Sequence, residues 1–529
     1  MELEKFWQRY KKYLYYNQEL GLTLDISRVD FREGYFSEME EKIAKAYKAM
    51  EELEAGAIAN PDENRMVGHY WLRAPHLAPT KKISQEITGV IERIQKFSDA
   101  IRQGKILAQG GRPFQHLLIV GIGGSVLGPQ LVSDALNQHD KMQPHFLDNT
   151  DPAGFDRIFQ KLEPHLNETL VLVISKSGGT KETRNGMLEI KAFFKENGLN
   201  FAKHAVAITG ENSILDREAQ REEWLARFPH FDWVGGRTSV TSVVGLLPLA
   251  LQGVNIEEFL EGAALCDQVT RNTETLKNPS ALLALMWYFA SEGQGKKDMV
   301  ILPYKDQLQL LSKYLQQLVM ESLGKKRDIE GNLVQQGLTV YGNKGSTDQH
   351  AYVQQLLDGV DNFFVTFIQV LEDRPRKSIY VEDRVTSGDY LLAFLQGVKE
   401  ALTLRQRQSI TIGLERLNPK SMGVLIALYE RAVGFYASLI NVNAYHQPAV
   451  EACKKVAART IAIQQRILEF LEENRGRAFT LEEIVEQLKI KDNKELVLTV
   501  LEHAALNQDH GLVKIPGENY FASKYYFTE

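Results

Sequence analysis

Residues 170 to 183 constrain the fold of this 529-residue chain more than any other stretch. The apolar run at 170–173, Leu-Val-Leu-Val, predicts a parallel strand that is buried on both faces. The segment 174–183, Ile-Ser-Lys-Ser-Gly-Gly-Thr-Lys-Glu-Thr, then predicts a loop that opens a helix. The hydroxyls of Ser175, Ser177 and Thr180, together with the N–H groups of the helix start, suit a phosphate. An ordinary hydroxyl-capped turn is the alternative.

Short β-rich runs alternate with helical stretches from about residue 115 onward, which predicts an α/β fold. The expected strands lie at 116–120, 144–148, 170–174, 205–209, 299–304, 338–341 and 363–370. We interpret them as two doubly wound parallel sheets, in one domain at 111–280 and a second at 281–455.

The segment 1–110 is predicted to be mostly helical, because its apolar residues recur at three- and four-residue spacing. Arg65, His69 and Arg73 follow one another at four-residue steps, which predicts a short helix with all three on one face. A salt-bridged surface face is the simpler interpretation of these residues. A ligand or subunit contact is the more specific one.

The C-terminal segment 456–529 has a different predicted order of helices and strands from the rest of the chain. It predicts three helices, at 461–471, 480–488 with Thr480 as cap and 496–506, followed by a hairpin at 511–527. This order suggests a small winged-helix-like extension. Its glutamates would repel nucleic acid, so we expect a packing or interaction appendage; they are Glu469, Glu472, Glu473, Glu482, Glu483 and Glu486.

The composition is that of a globular protein without the excess of basic residues that is typical of nucleic-acid binding. The chain has 62 Lys and Arg against 68 Asp and Glu, a net charge of −6, and 44% apolar residues. Its two cysteines, Cys266 and Cys453, fit neither a disulfide framework nor a metal-ligand spacing. With no signal peptide and no evident membrane span, we expect a cytoplasmic protein that needs no membrane partner.

A second glycine-rich turn follows the first predicted strand, with the sequence Gly-Ile-Gly-Gly-Ser-Val-Leu-Gly at 121–128. It is not a dinucleotide fingerprint, because Val126 takes the place of the third glycine, and no Lys-Ser/Thr pair follows to make a P-loop. We expect Gly123, Gly124 and Ser125 to lie beside the phosphate loop. Close packing of strand against helix is the alternative use of these glycines.

Two further motifs carry charged groups suited to catalysis. Arg237 follows two glycines that clear space for a ligand beside its guanidinium, although a lone arginine is commonly a surface ion pair. Gln317 and Glu321 are one turn apart on a predicted amphipathic helix. A partly desolvated carboxylate there suits a general base, and a solvated glutamate at a helix end is the alternative.

Three more polar residues lie in motifs whose residue spacing does not indicate a particular catalytic or binding role. His350 lies in Ser-Thr-Asp-Gln-His-Ala-Tyr, which is predicted to begin a helix. Gln447 lies in a predicted loop, and Lys454 follows it by seven residues, two helical turns further on. Taken alone, a structural histidine and a solvated lysine are the simpler interpretations.

In this order, the motifs resemble those of the phosphoglucose isomerase family, whose core consists of two sugar-isomerase domains. The resemblance spans about residues 60 to 455. It rests on GIGGS at 121–125, SKSGGTKET at 175–183, GGR at 235–237, MES at 320–322 and QHA at 349–351. Five motifs in the family's order are far more specific than any one of them.

The resemblance implies a role for each matched residue. Glu321 would be the base that moves a proton between C1 and C2 through a cis-enediol(ate), and Arg237 would stabilise the charge of that intermediate. His350 and Lys454 would open and close the sugar ring. A phosphate site and a sugar site are implied by the other matches: Gly123, Gly124, Ser125, Ser175, Lys176 through its backbone, Ser177 and Thr180 for the phosphate region, and Gln317 and Gln447 for the sugar.

The resemblance further implies a homodimer in which His350 reaches the active site of the neighbouring subunit. It implies a sugar-phosphate substrate and no cofactor or obligatory metal, because proton transfer needs neither. The chain departs from the family pattern at Thr238, His446, Ala449 and Cys453, which flank matched residues. A bifunctional phosphoglucose/phosphomannose isomerase and a non-catalytic sugar-phosphate sensor are the alternative functions.

Overall fold

A computed structural model of the chain describes residues 3–136 and 142–528. The protein forms two compact units, Met1–His446 and Gln447–Glu529. The first unit holds both large sheets, and the second holds a small sheet of its own. The predicted divisions of the chain after residues 110, 280 and 455 stay predictions.

The described strands form three sheets and one separate hairpin, β9–β10. The strands are β1 Leu14–Asn17, β2 Leu22–Asp25, β3 His116–Val120, β4 Gln143–Leu147, β5 Thr169–Ser175, β6 Ala205–Thr209, β7 Ala226–Pro229, β8 Asp298–Pro303, β9 Lys325–Arg327, β10 Leu333–Gln336, β11 Val340–Tyr341, β12 Phe363–Val370, β13 Ser409–Leu414, β14 Phe479–Thr480, β15 Leu512–Ile515 and β16 Lys524–Phe527.

The helices of the first unit flank its two sheets. They are α1 Leu3–Tyr13, α2 Tyr35–Glu38, α3 Glu40–Glu54, α4 Lys81–Arg102, α5 Gly124–Leu136, α6 Pro152–Leu162, α7 Lys181–Glu196, α8 Ile214–Arg221, α9 Val243–Leu251, α10 Ile256–Thr270, α11 Pro279–Ala290, α12 Leu311–Leu315, α13 Val353–Asp358, α14 Ser387–Leu404 and α15 Pro419–Leu439. The helices of the second unit are α16 Pro448–Glu473, α17 Leu481–Gln487 and α18 Lys494–Leu506.

The first sheet is a parallel one with the strand order β4-β3-β5-β6-β7. All seven residues of β5 are buried, as the continuous apolar run predicts. Along this strand Leu170 and Leu172 face one core, whereas Val171 and Val173 face another. The sheet is therefore covered on both sides, which confirms the predicted α/β architecture.

The second sheet has the strand order β1-β2-β13-β12-β8-β11. Strands β13, β12, β8 and β11 are mutually parallel, whereas β1 and β2 add an antiparallel edge. The two edge strands come from the segment that the sequence predicts to be mostly helical. Leu22 and Leu24 are fully buried, so pairing with β13 and burial outweigh the helical spacing of this segment.

The core helix α15 has the length and mean hydropathy of a membrane span, but 94% of its apolar window is buried inside the protein. It packs against α10, α11 and α3. Glu430 and Arg431, near its middle, are buried at 3% and 1% exposure. Two adjacent charges at such a depth require partners.

Those partners form a cluster of buried ion pairs. Arg73 donates to Asp267 on α10 and to Glu430 at 2.6 Å each, and its side chain has no exposed area. Arg431 donates to Glu54 at the end of α3, also at 2.6 Å. The surface interpretation of Arg65, His69 and Arg73 is therefore wrong for Arg73, and it is wrong also for His69, which is 1% exposed.

No single helix carries the three residues that the sequence places on one face. Arg65 pairs with Asn60 in an isolated β-bridge, whereas a 3₁₀ turn spans His69–Leu72. His69 and Arg73 are buried, and Arg65 is partly exposed. The four-residue spacing fails here because a turn interrupts the segment, so helical periodicity does not apply across it.

The second unit builds its own core around Ile467, Leu471, Ile484 and Leu501. Its three strands form an antiparallel sheet in the order β14-β16-β15. The three predicted helices and the hairpin are present, and Thr480 caps α17 by accepting a hydrogen bond from the backbone of Glu483. The six glutamates of this segment are all exposed. The winged-helix description stays a prediction.

We expect Arg73→Met to lower the free energy of unfolding by about 3–5 kcal/mol, because it leaves two buried carboxylates without their main partner. Arg102→Met is the matched control, since Arg102 pairs with Asp99 on the surface of α4 and should cost less than about 1 kcal/mol. Urea unfolding followed by tryptophan fluorescence measures both. Equal losses for the two variants would contradict a structural role for the cluster.

Burial raises the pKa of Glu430 from 4.5 to about 7, against the opposing field of Arg73. Because the folded state holds this proton more tightly, the stability it contributes is fully present below pH 4.5 and is lost as the pH rises through about 7. We therefore expect the stability advantage of the wild type over Glu430→Gln, which cannot titrate, to shrink between about pH 5 and about pH 8, at up to ~1.4 kcal/mol per pH unit. Urea unfolding at both pH values checks this, and a constant difference would refute it.

Candidate active site

The two glycine- and serine-rich motifs meet at the carboxyl ends of adjacent strands. β3 ends at Val120 and β5 ends at Ser175, and the two strands pair in parallel. From β3 the chain runs to β4 on one side, and it then crosses to β5 on the other side. The gap between β3 and β5 is thus the switch point of the sheet, where open α/β folds bind ligands.

The loop after β5 presents hydroxyls and backbone N–H groups to one small region. The Ser175 hydroxyl accepts from Gly178 N at 3.1 Å and lies 3.4 Å from the Thr180 hydroxyl, while that of Ser177 accepts from Gly179 N. Gly178 has a φ of +69°, which favours glycine. Thr180 precedes α7, and its side chain makes no capping hydrogen bond there. The first turn of α7 therefore lacks a side-chain cap, as suits an anion.

The loop after β3 touches the turn that carries Arg237. A Cβ atom added to Gly124 would lie 2.0 Å from the carbonyl oxygen of Gly236, so only glycine permits this approach. The Ser239 hydroxyl also donates to the carbonyl of Gly124 at 3.3 Å. Gly123, with a φ of +58°, faces the amide of Gln317. Ser125, one residue into α5, is partly buried.

Glu321 lies between an amide and a guanidinium. Its Oε2 accepts from Gln317 Nε2 at 3.1 Å and lies 3.3 Å from Arg237 Nε. The side chain of Arg237 is 7% exposed and that of Glu321 is 28% exposed. Burial lowers the pKa of the Arg237 guanidinium, and Glu321 opposes this shift. A carboxylate accessible to a substrate thus stands next to a buried cation.

Arg237 has anchors besides Glu321. Its Nη1 donates to the carbonyl of Ala444 at 2.7 Å and approaches the Ser322 hydroxyl at 3.4 Å. The arginine itself lies in a 3₁₀ turn, Gly236–Thr238. The bond to Ala444 thus ties the guanidinium to a segment other than the one that carries Glu321.

Lys325 is a residue of this site that the sequence alone did not single out. It caps the turn that carries the carboxylate, because its ammonium donates to the carbonyls of Glu321 and Ser322 at 2.8 and 2.7 Å. This turn, Gln316–Glu321, is a π-helical one, a feature common at functional sites. Burial lowers the pKa of Lys325 to about 8. The four-residue spacing from Glu321 was the available signal.

Lys176 was predicted to act through its backbone, and its side chain has a second set of contacts. The ammonium donates to the carbonyl of Asp232 at 2.5 Å and to that of Val234 at 3.1 Å. These carbonyls precede the turn of Arg237. No sequence spacing reveals this contact, because it joins loops that only the folded sheet brings together.

His350 ends a 3₁₀ turn, Thr347–His350, within the motif that the sequence predicts to begin a helix; α13 starts at Val353, directly after that motif. The side chain is exposed, and the neighbouring Gln349 accepts from the hydroxyl of Tyr304. The preceding Asp348 is buried and accepts from the hydroxyl of Tyr352. The segment is thus fixed by its neighbours while the imidazole faces outward.

Gln447 and Lys454 belong to the second unit, so their proximity to Glu321 stays a prediction. Gln447 precedes α16 and Lys454 lies within that helix; both side chains are exposed. The substituted neighbour His446 belongs to the first unit, where its Nδ1 lies 2.8 Å from a carboxylate oxygen of Asp62. Within residues 3–136 and 142–528, no three His, Cys, Asp or Glu side chains are arranged to hold a metal ion.

Comparison with known proteins gives matches over almost the whole chain. The family description "Phosphoglucose isomerase" matches residues 32–390. The glucose-6-phosphate isomerases of Geotalea daltonii and Geobacter sulfurreducens are 57% and 56% identical, over 99% and 97% of both chains. A crystal structure of a glucose-6-phosphate isomerase from Chlamydia trachomatis has a TM-score of 0.77 at 26% identity, covering 87% of this chain and 91% of that one. The chain belongs to the phosphoglucose isomerase family.

Proposed function

We propose that this member of the family interconverts glucose 6-phosphate and fructose 6-phosphate in glycolysis and gluconeogenesis. The family and the named relatives support the isomerase activity and its sugar-phosphate substrate. One observation supports the assignment of the base: the Glu321 carboxylate lies 3.3 Å from the buried Arg237 guanidinium. We propose that the reaction takes place in the cytoplasm, where Cys266 and Cys453 would stay free thiols, as they are here.

The phosphate of the substrate would bind at the switch point of the first sheet. Ser125, Ser175, Ser177 and Thr180 would donate hydroxyls, with Lys176 contributing its backbone N–H. The uncapped start of α7 supports this assignment, because its N–H groups carry a partial positive charge that favours an anion. The glycines of the loop after β3 would let the phosphate approach closely.

The proton transfer would use Glu321 as the base between C1 and C2. Removal of the proton leaves a negative charge on the enediolate oxygens, and Arg237 would stabilise it. A positioned base typically contributes about 10²–10⁴-fold in rate, and a fixed donor at an oxyanion contributes about 3–4 kcal/mol. Gln317 holds the carboxylate at 3.1 Å and would also face the sugar.

Ring opening would use His350 and Lys454, with Gln447 on the sugar. We propose that His350 acts in the site of a second subunit of a homodimer. Its exposure supports this, as do several exposed apolar side chains in the loop before α14 and on α14 itself. They are Ile379, Tyr380, Val381, Leu392 and Phe394, of which Ile379 is 74% exposed. A second subunit would remove such side chains from water.

The alternatives differ from this proposal in what they require. A bifunctional enzyme would use the same base and also accept mannose 6-phosphate. A non-catalytic sensor would need the phosphate loop but not the pair of Glu321 and Arg237. The close contact of these two side chains favours an enzyme, because a binder gains little from a carboxylate near its ligand.

We expect Glu321→Gln to lower kcat by about 10²–10⁴-fold, because the amide cannot accept the proton. Inorganic phosphate should inhibit the variant as it does the wild type, within about threefold, because the phosphate loop is unchanged. Deuterium incorporation at C2 in D₂O, followed by NMR, measures the proton transfer. Glu330→Gln, in the exposed hairpin, is the control. Unchanged turnover in Glu321→Gln would exclude this residue as the base.

A mixing experiment tests the shared site. Glu321→Gln and His350→Asn should each be inactive alone, and co-refolding them in equal amounts should restore about a quarter of the wild-type activity. Half of the dimers are then mixed, and each mixed dimer has one intact site if His350 acts across the interface. If His350 acts within its own subunit, no mixed dimer has an intact site, and the absence of recovery would refute the proposal.

A further inference from the structure

Lys176 carries an ammonium group that the proposed reaction does not use. Its backbone belongs to the phosphate loop, where its carbonyl accepts from Gly210 N at 2.9 Å. Its Nζ reaches away from this loop to the carbonyls of Asp232 and Val234, at 2.5 and 3.1 Å. Two of the three ammonium hydrogens are thus engaged by a different segment, 231–234.

That segment is held from its other side by the core. The carbonyl of Trp233 accepts from Gly68 N at 2.9 Å, and Val234 is fully buried beside Trp71. Three residues after Val234 comes Arg237, whose guanidinium faces Glu321. A shift of this segment would therefore displace the guanidinium.

The carboxylates near the Lys176 ammonium are paired with another cation, so the two carbonyls are its main contacts. Arg65 lies 3.7 Å from the carboxylate of Asp232 and 2.9 Å from that of Glu63, so both carboxylates already have a cation. His230, on the same loop, is buried. Burial and Arg65 lower the pKa of Lys176 to about 8, while Asp232 and Glu63 oppose this shift. A cation in such surroundings is held mainly by its hydrogen bonds.

We propose that Lys176 is a positioning residue, which fixes the turn of Arg237 relative to the phosphate loop. This inference rests on the function proposed above. A sugar phosphate bound at the loop would then meet a guanidinium already in place for the developing negative charge. Misplacement of a group by about 1 Å can cost on the order of 10²-fold in rate, so a rigid link between the two loops has a large effect on catalysis.

The first test separates positioning from direct contact with phosphate. Lys176→Met keeps the length of the side chain and removes the donors, and we expect it to lower kcat by about 10–10²-fold. Inhibition by inorganic phosphate should change by less than about threefold, and Lys176→Arg, which keeps a donor group, should recover most of the loss. Weaker phosphate inhibition with an unchanged kcat would overturn the proposal and make the ammonium a phosphate ligand.

The second test asks whether Lys176 acts through Arg237. In a double-mutant cycle with Arg237→Met, the effect of Lys176→Met on kcat should nearly vanish once the guanidinium is gone. Independent, multiplicative effects would overturn the proposal. Thermal unfolding of all variants establishes that they are folded, and Lys176→Gln serves as a second variant if Lys176→Met is not.

Failure of this inference can be told apart from failure of the proposed function. A folded wild type that neither isomerises glucose 6-phosphate nor exchanges its C2 proton would overturn the proposed function. An active wild type with multiplicative effects in the cycle would overturn only the role of Lys176.

Discussion

The buried ion pairs of Arg73 and Arg431 are the constraint on which the first unit depends. They join a 3₁₀ turn and α3 to α10 and α15, which come far later in the sequence. Burying these charges costs several kcal/mol each, and only mutual pairing offsets that cost. The cluster therefore adds little net stability over apolar packing, but it disfavours other arrangements of these elements. Misaligned alternatives would leave a charge unpaired.

This arrangement fixes the framework on which the site is built. The Arg73 segment leads from the helical N-terminal region toward the first sheet, and the end of α15 leads to Ala444, whose carbonyl anchors Arg237. Helix α15, which the buried charges hold, thus leads to the backbone carbonyl that anchors the Arg237 guanidinium. The side chains of the site then need few hydrogen bonds of their own, because the elements that carry them are held in place.

The sequence predicted the parts of the structure that depend on local pattern. The continuous apolar run of β5 and the glycine-rich loops identify parallel strands and the edge at which these loops meet, and Gln317 and Glu321 do share a helix face. It did not predict contacts made by the fold as a whole. The local pattern did not reveal β2 as a strand because its partner β13 is remote in sequence, and it placed Arg73 on the surface because the partners of Arg73, Asp267 and Glu430, come some 200 and 360 residues later.

Three cations of the candidate active site share one feature: each is held by backbone carbonyls. Arg237 donates to Ala444, Lys325 to Glu321 and Ser322, and Lys176 to Asp232 and Val234. A carbonyl does not titrate in the accessible pH range, so these positions do not change when a neighbouring carboxylate gains or loses a proton. If Glu321 alone held Arg237, protonation of the proposed base would release the guanidinium at the step where the proposed enediolate needs its charge. Anchoring the cations on carbonyls would separate the proposed proton transfer from the placement of positive charge, and this would leave the Glu321 carboxylate free to change its charge.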